Sequence, residues 1–294
     1  GMTLVFDGHN DVLTKLDRVG GLAGAESFLK GLPGQLDLEK ARQGGFGGGF
    51  FAIWVRAATP TGFDLSALVP PYDVVLPDEI AQAEAWEMVQ RQTAILHRLQ
   101  DLQALRICTG VNEIEAAREA GVLAAILHVE GAEAIDPETL AELDMLHERG
   151  LRSLGPVWSR PTRFGHGVPF RYPSDGDTGE GLTEAGRRLV ERCGELGVLV
   201  DLSHLNMAGF WDVAEISRAP LVATHSSAHA VSPPARNLTD AQLAAIARSG
   251  GVVGLNFESS FMRPDGRPDT DTGQNVAMAH LDHLLNLLGE EGGA

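Results

Sequence analysis

The sequence is short of cysteine, of positive charge and of long apolar runs, and each shortage excludes a class of protein. Its two cysteines, Cys108 and Cys193, are too few for a disulfide framework and do not form a CxxC pair, so we predict a reducing, cytoplasmic compartment. No 18 consecutive residues are apolar, so we expect no membrane-spanning segment and no membrane partner. With 23 Lys and Arg residues against 40 Asp and Glu residues, the net charge of -17 would repel nucleic acid.

The N-terminus also lacks the basic region followed by an apolar region that marks a secretory signal peptide, so we expect none. The chain has 294 residues, 44% of them hydrophobic, which is enough for one large core. It contains no repeat of fixed period and no low-complexity linker. We therefore predict a single domain over residues 1–294.

Short apolar runs alternate with longer amphipathic segments along the chain. The apolar runs predict seven strands, at residues 4–7, 50–55, 124–129, 152–157, 198–202, 221–223 and 252–256. The amphipathic segments predict helices at residues 78–102, 136–148, 184–196, 243–248 and 276–288. Thr183 is expected to cap the third of these helices, and Thr239 and Gln242 form a capping box before the fourth.

This alternation predicts an α/β protein with parallel βα units, and the length leaves room for a (β/α)8 TIM barrel. An open doubly wound sheet is the alternative, but it normally has a glycine-rich turn directly after the first strand. Here "GGFGGG", residues 44–49, comes just before the second predicted strand, so we assign it no phosphate-binding role. The eighth strand is not present, because the sequence ends in "LLGEEGGA" straight after the last helix. We expect the C-terminal part of the protein to be missing from this sequence.

Several predicted strands end in residues that bind metal ions. The first ends in "FDGHND", where His9 and Asp11 lie two residues apart and point the same way on an extended chain. Glu130 ends the strand in "ILHVEG", and His204 and His225 follow the strands in "VLVDLSH" and "LVATHSS". In a (β/α)8 barrel these strand ends converge on the face that carries active sites.

Taken alone, each of these residues is more simply explained as a loop histidine, a salt-bridge partner or part of a polar turn. Together they form a set of nitrogen and oxygen ligands that suits zinc or a similar divalent ion. Five ligands are too many for one tetrahedral catalytic ion and fit two ions that share a carboxylate bridge. Asp201 is expected to orient a neighbour, and His128 is a further candidate that shares the face of Glu130.

Five segments in order resemble the renal or membrane dipeptidase family of zinc peptidases, in the amidohydrolase superfamily. They are "FDGHND", "HVEGAEAI", "VDLSH", "THSSAHAVSPPARN" and "GGVVGLNF", and the resemblance runs from about residue 4 to residue 288. It implies a (β/α)8 barrel with two zinc ions, His9 and Asp11 on one, His204 and His225 on the other, and Glu130 bridging them. It also implies that Arg236, in "PPARN", binds the substrate carboxylate.

The sequence departs from the family pattern at two places. Trp158, in "LRSLGPVWSR", stands where the family has a His that contacts the substrate carbonyl. An indole N–H can donate a hydrogen bond, but it cannot carry a proton charge. The family's eighth strand, whose Asp handles the proton, is also absent from this sequence, so no catalytic acid is assigned.

The resemblance implies a zinc-dependent dipeptidase that hydrolyses dipeptides with a free C-terminal carboxylate, by means of a metal-bridging hydroxide. It also suggests a homodimer. Two alternatives stay open. Because Trp158 replaces a His, the protein could be a related metal-dependent deacylase of N-acyl amino acids. If the C-terminal strand is truly absent from the protein, it could be a non-catalytic homologue.

Overall fold

The computed structural model describes residues 4–34, 36–57, 64–269 and 271–289, in which parallel strands alternate with helices. The strands are β1 Val5–Asn10, β2 Phe46–Trp54, β3 Tyr72–Asp73, β4 Leu105–Ile107, β5 Leu123–Glu130, β6 Leu151–Gly155, β7 Arg171–Tyr172, β8 Leu199–Val200, β9 Val222–Ala223 and β10 Val252–Val253. The helices are α1 Val12–Gly20, α2 Ala25–Lys30, α3 Leu38–Gln43, α4 Gln82–Asp101, α5 Val111–Glu119, α6 Ala141–Glu148, α7 Glu184–Leu196, α8 Met207–Ile216, α9 Asp240–Arg248, α10 Ser259–Met262 and α11 Gln274–Leu288. Two short 3-10 turns, Gly21–Gly24 and Leu65–Ala67, complete the elements of the described residues.

Each of the seven predicted strands overlaps an observed one, and the helix caps predicted at Thr183 and Thr239 are confirmed. Thr183 accepts a hydrogen bond from the Gly186 backbone N–H and begins α7, which has the predicted bounds. The capping box of Thr239 and Gln242 is present at α9. Both caps satisfy backbone N–H groups that a helix leaves without an internal partner, which is why they locate a helix start so well.

The start predicted for the helix over residues 136–148 is wrong. Asp136 does accept hydrogen bonds from the backbone N–H groups of Glu138 and Thr139, as a cap would. Leu140 then adopts a left-handed conformation with a φ of 55°, and α6 begins only at Ala141. The cap therefore closes an isolated turn, because a left-handed residue interrupts a right-handed helix.

The chain divides into two compact units, residues 1–55 with 81–154 and residues 56–80 with 155–294. The first unit contains a parallel sheet in the order β1-β2-β5-β6, and β4 pairs with β5. β2 lies between β1 and β5, and its pairing with β5 runs from Gly48↔Ala124 to Trp54↔Glu130. α1 and α4 pack beside this sheet and bury apolar side chains such as Leu13 and Leu96.

The run "GGFGGG" extends into β2, so its expected position before the strand is only partly right. A Cβ atom on Gly48 would lie 2.2 Å from the Ala124 carbonyl oxygen, and one on Gly49 would lie 2.5 Å from the Asp7 carbonyl oxygen. Glycines at these positions let β2 approach both neighbouring strands closely. Their role is to pack the sheet that carries His9 and Glu130.

The second unit is built on shorter strands. β9 and β10 are parallel and two residues long, Asp201 and Val222 form an isolated parallel bridge, and β3 pairs with β7 in the antiparallel sense. Its core is a cluster of buried apolar side chains that includes Val157, Phe210 and Leu243.

His280 is a buried polar residue inside the second unit. Its Nδ1 accepts a hydrogen bond from the Ala228 backbone N–H, and its Nε2 lies 2.7 Å from the Met262 carbonyl oxygen. Burial lowers the pKa of His280, although the hydrogen bond to Met262 opposes the shift. A neutral imidazole fits this position, since one nitrogen accepts and the other donates.

Both cysteines are buried and unpaired in disulfides. Burial raises the pKa of Cys193 to about 12 and also raises the pKa of Cys108. Among the described residues, no helix combines the length and the apolar character needed to cross a bilayer.

Candidate metal centre

The end of β1 holds His9 and Asp11 in a short, hydrogen-bonded segment. Asp7 accepts hydrogen bonds from the His9 backbone N–H, at 3.3 Å, and from the Asn10 side-chain amide, at 3.2 Å. Asp11 follows directly as the N-cap residue of α1, but its side chain makes no capping hydrogen bond. Its carboxylate is therefore not used by the helix and turns to His9.

In the first unit, the structure brings together three of the predicted ligands. The Nε2 atom of His9 lies 3.1 Å from Oδ1 of Asp11, and its Nδ1 atom lies 3.4 Å from Oε2 of Glu130. Glu130 is buried at the end of β5, whereas the Asp11 side chain is about half exposed, at 54%. The imidazole thus stands between two carboxylates, one buried and one near solvent.

The pKa of Asp11 is held below its usual value. Loss of solvent around the carboxylate would raise this pKa, but the hydrogen bond and charge of His9 outweigh that effect, with help from Lys15 and Arg18. The pKa of neighbouring Asp7 is raised, mainly by burial. Asp11 is therefore the stronger acid of the pair, and it keeps its charge, which a metal ligand requires.

His128, the further candidate from the sequence, is fully buried in the same unit. Its Nδ1 lies 2.7 Å from the Ser153 hydroxyl oxygen, and its ring meets that of His9 edge to face, with centroids 6.2 Å apart. This contact limits how the His9 ring can tilt. The structure therefore places His128 beside a predicted ligand, as a packing partner.

In the second unit, the structure brings the rings of His204 and His225 into contact, edge to face. Their Nε2 atoms are 3.2 Å apart, and the ring planes meet at 60°. His204 follows β8 and has a φ of 71°, a left-handed conformation that is uncommon for a residue with a side chain. His225 follows β9 by two residues. The two rings come from neighbouring loops and point one nitrogen each at a common place.

Hydroxyl groups hold the other nitrogens of these two rings. Nδ1 of His204 lies 3.0 Å from the Ser159 hydroxyl oxygen, and Nδ1 of His225 lies 2.9 Å from the Thr224 hydroxyl oxygen. Thr224 in turn donates to Asp201 at 2.6 Å. Such outer contacts fix ring orientation in metal sites. The expected orienting role of Asp201 fits this contact, whereas Ser159 and Thr224 were missed because serine and threonine after a strand are unremarkable in a sequence.

Arg236 is buried beside the His225 loop. Its Nη2 donates to the His225 carbonyl oxygen at 2.7 Å, its Nη1 donates to the Ser226 hydroxyl at 3.1 Å, and its guanidinium lies 5.9 Å from the centre of the Phe261 ring. Only 3% of the residue is exposed. Although it follows Pro233 and Pro234 closely in the chain, Arg236 is therefore not an exposed turn residue. A guanidinium is a planar fork of N–H donors, a shape that matches a carboxylate.

Trp158 lies next to His204, with the ring centroids 6.1 Å apart. It also packs on Phe170, and the guanidinium of Arg160, which is fully buried, lies over its ring at 5.2 Å. The indole is half-buried. A tryptophan packed in this way keeps one orientation, so its N–H is a fixed donor at this position.

A cavity of about 350 Å³ lies in the same unit and is lined by ten residues, among them Ser159, His166, Arg171 and Glu180. Ser159, which lines this cavity, is also the residue whose hydroxyl contacts Nδ1 of His204. Neither Arg236 nor Trp158 lines it. It is therefore distinct from the surroundings of the predicted carboxylate-binding arginine.

The donor sets of both units fit a divalent ion. Two imidazole nitrogens bound to one tetrahedral zinc at about 2.0–2.1 Å lie about 3.3 Å apart, close to the spacing of His204 and His225. A nitrogen and a carboxylate oxygen on one ion have a similar spacing, which His9 and Asp11 reproduce. Imidazole with carboxylate is also the ligand chemistry that zinc and its neighbours prefer.

Comparison with known proteins shows the family to which the chain belongs. The family model of the membrane dipeptidases, peptidase family M19, matches residues 2–292. The chain belongs to this family. A metallopeptidase from Rhodobacter sphaeroides, crystallised with a phosphinate mimic of the dipeptide L-Ala-D-Ala, is 48% identical, with a TM-score of 0.94 over 99% of this chain and 84% of that one.

Two sequence relatives extend the comparison. A protein of Acinetobacter calcoaceticus with no assigned function is 40% identical over 96% of this chain and 89% of its own length. A dipeptidase of Schizosaccharomyces pombe is 29% identical over 98% of this chain and 66% of its own length.

Family membership confirms the resemblance seen in the sequence. This M19 protein is a metallopeptidase with an α/β fold of the TIM-barrel type, and enzymes of its family act on dipeptides with the help of divalent metal ions. The first unit contributes a run of adjacent parallel strands to that fold.

Proposed function

We propose that this protein is a dipeptidase that works with two zinc ions. His9 and Asp11 would hold one ion, His204 and His225 the other, and Glu130 would bridge them. The facing Nε2 atoms of His204 and His225, 3.2 Å apart, carry this proposal most directly. In the other unit, the contact of the His9 Nε2 atom with Asp11 and the buried position of Glu130 at the end of β5 support it. A buried carboxylate is suited to the bridge because its charge offsets the repulsion between two cations.

Bound divalent ions would supply a water of lowered pKa and would polarise the peptide carbonyl. The chain's own residues would then position the substrate. Arg236 would bind the C-terminal carboxylate through its planar guanidinium, which the bonds to His225 and Ser226 hold in place. Because Arg236 is buried and its head is held by two hydrogen bonds, it can define one distance from the carboxylate to the scissile bond. That distance would select dipeptides over longer peptides.

Trp158 would donate its indole N–H to the substrate near His204. Its packing against Phe170 and Arg160 keeps the ring in place, so no reorganisation is needed when substrate binds. A neutral donor there would give a weaker response to pH than a histidine would, because the indole does not titrate.

The substrate class is proposed from the Rhodobacter sphaeroides metallopeptidase, which was crystallised with a mimic of L-Ala-D-Ala. We expect small dipeptides with a free C-terminal carboxylate, including those with a C-terminal D-residue. A deacylase of N-acyl amino acids remains the second candidate, since these compounds also carry a free carboxylate for Arg236 and since Trp158 replaces the family's histidine.

One experiment tests the proposal as a whole. Elemental analysis of protein purified without chelator should give about two zinc ions per chain, and L-Ala-D-Ala and L-Ala-L-Ala should be hydrolysed faster than N-acetyl-alanine. C-terminally amidated dipeptides serve as the matched control and should be poor substrates. One ion per chain at full occupancy would contradict the two-metal centre, and faster hydrolysis of N-acetyl-alanine would favour the deacylase.

A further inference from the structure

We propose that Asp201 and Thr224 form a hydrogen-bond relay that sets which ring nitrogen of His225 carries the proton. The two are positioning residues, because they act on the metal ligand and not on substrate. This inference rests on the proposed role of His225 as a ligand and adds the reason why its Nε2 atom is ready for a metal ion.

The relay begins with the fixed carboxylate of Asp201. Its Oδ1 atom accepts the backbone N–H groups of Ser203 and Thr224, at 3.0 and 2.9 Å. Its Oδ2 atom accepts the Thr224 hydroxyl proton at 2.6 Å. Asp201 and Thr224 are both buried, with 1% and 3% exposed, so water does not compete for these bonds.

The direction of the next bond follows from counting protons. A threonine hydroxyl has one proton, and Thr224 uses it to donate a hydrogen bond to Asp201. The Thr224 oxygen can therefore only accept from the His225 Nδ1 atom, 2.9 Å away. His225 then carries its proton on Nδ1, and the lone pair that a metal bond needs is on its Nε2 atom, which faces His204.

The same loop is held by a second set of bonds. The backbone N–H of His225 donates to the Ser203 hydroxyl at 3.0 Å, and Ser203 contacts the Ser226 hydroxyl at 3.0 Å. Arg236 donates to Ser226 and to the His225 carbonyl oxygen. These contacts fix the position of the His225 ring. The relay of Asp201 and Thr224 therefore determines the tautomer of the ring and not its position.

Asp201→Asn offers a sharp test because it reverses the relay without changing its shape. The Asn carbonyl oxygen would keep the two backbone N–H groups, and its amide N–H₂ would face Thr224. The Thr224 hydroxyl would then accept from the amide and donate to Nδ1 of His225. The proton of His225 would move to Nε2 and block the metal. An Asp→Asn change next to a catalytic histidine has this effect in serine proteases.

The primary measurement is the tautomer of His225 in metal-free protein, read from long-range ¹H–¹⁵N spectra of histidine-labelled chain and assigned with His225→Gln. We expect the Nδ1–H tautomer in wild type and in Thr224→Ser, and the Nε2–H tautomer or a mixture in Asp201→Asn and Thr224→Val. An Nε2–H tautomer in wild type overturns the inference, and this result does not depend on whether the Asp201 and Thr224 variants fold.

The second measurement is zinc affinity by competition with a chelator. Asp201→Asn and Thr224→Val should weaken one zinc by about 10–100-fold, while Thr224→Ser should bind as wild type does. Thr93→Val, which removes a buried hydroxyl from the other unit, is the matched control and should also bind as wild type does. Equal affinity in Thr224→Val and Thr93→Val overturns the relay. Wild-type zinc affinity in His225→Gln would instead overturn the proposed ligand role of His225, and with it the purpose of the relay.

Discussion

The two units present their predicted ligands by different means. In the first unit, His9 and Glu130 lie at the ends of the six- and eight-residue strands β1 and β5, and the ligand side chains contact each other directly. In the second unit, the strands before His204 and His225 have two residues each, and hydroxyl groups hold both rings. A regular sheet positions ligands through its backbone, whereas short strands require side-chain hydrogen bonds to do the same work.

The conformation of His204 sharpens this difference. Its φ of 71° costs free energy, on the order of 1–2 kcal/mol for a residue with a Cβ atom. The bonds from Ser159 to the ring and from the Val168 backbone N–H to the His204 carbonyl oxygen, at 2.7 Å, offset that cost. The first unit needs no such strain at His9, which lies inside a strand.

The largest effect is expected from Glu130→Gln. It keeps the shape of the side chain at the end of β5 but removes the charge that would bridge two cations. At least one zinc should bind more than about a thousandfold more weakly, since even outer contacts are worth about 10–100-fold. Elemental analysis and dipeptide hydrolysis measure this, with exposed Glu138→Gln as the control. Two tightly bound ions in Glu130→Gln would show that the first unit does not supply the bridge.

The next effect concerns Arg236 in the second unit. Arg236→Ala should lower kcat/KM for free-acid dipeptides. The loss of transition-state stabilisation should be about 2–5 kcal/mol, the usual loss when one partner of a buried charge pair is removed. Arg236→Lys should lose less. Exposed Arg218→Ala is the control and should behave as wild type.

Amidated dipeptides separate two explanations of that loss, because Arg236 also supports His225. If Arg236 binds the carboxylate, the amidated substrates should be poor for wild type and should change little on mutation. Equal losses on both substrates would mean that Arg236 only holds the ligand loop.

A smaller effect is expected from a substitution that disturbs the close packing of the sheet in the first unit. Gly48→Ala would place a Cβ atom 2.2 Å from the Ala124 carbonyl oxygen, so β2 and β5 would have to separate. We expect a loss of about 1–3 kcal/mol in the free energy of unfolding. Gly194→Ala, inside α7 and with nothing within 4 Å, should instead stabilise by up to about 1 kcal/mol. Denaturant unfolding measures both, and a neutral Gly48→Ala would contradict the close packing.

The smallest expected effect is a pH dependence from His280 in the second unit. Its pKa is lowered on folding, so the unfolded chain binds more protons, and stability is lost as the pH falls below about 6.5. One such group changes stability by at most about 1.4 kcal/mol per pH unit.

Denaturant unfolding of chelator-treated wild type and of His280→Asn between pH 5 and 8 measures how much His280 contributes to the pH dependence of stability. The variant should be less stable at pH 8 and should depend less steeply on pH, while the remaining histidines contribute equally to both proteins. Parallel curves would show that His280 does not contribute.

A structural feature of this protein can be predicted from the sequence when the contacts that produce it lie close together in the chain. Helix caps at Thr183 and Thr239 are local, so they were predicted to the residue. Strand-end ligands were recognisable by residue type, and the structure brings them together within each unit. Their assignment to two ions stays a prediction.

Features that depend on contacts between residues far apart in the chain could not be predicted from the sequence. The place of Gly48 inside β2 depends on Ala124, 76 positions later in the chain. The bond from Thr224 to Asp201 joins two loops, and nothing in "LVATHSS" distinguishes that threonine from any other. Helix α5 and strand β4 were missed because their apolar residues are too few for a clear period, as the single buried side chain of α5, Ala117, shows. The left-handed conformation of Leu140 is likewise not indicated by any sequence pattern.

The two buried cysteines have a practical consequence for chemical labelling. Thiolates react with maleimides and capture stray zinc, but the raised pKa values keep Cys108 and Cys193 protonated at neutral pH. We therefore expect thiol-bound ions to add little to metal counts on this protein. A single cysteine introduced on the surface should also be the preferred site of attachment for a fluorophore or spin probe, without first removing the native pair.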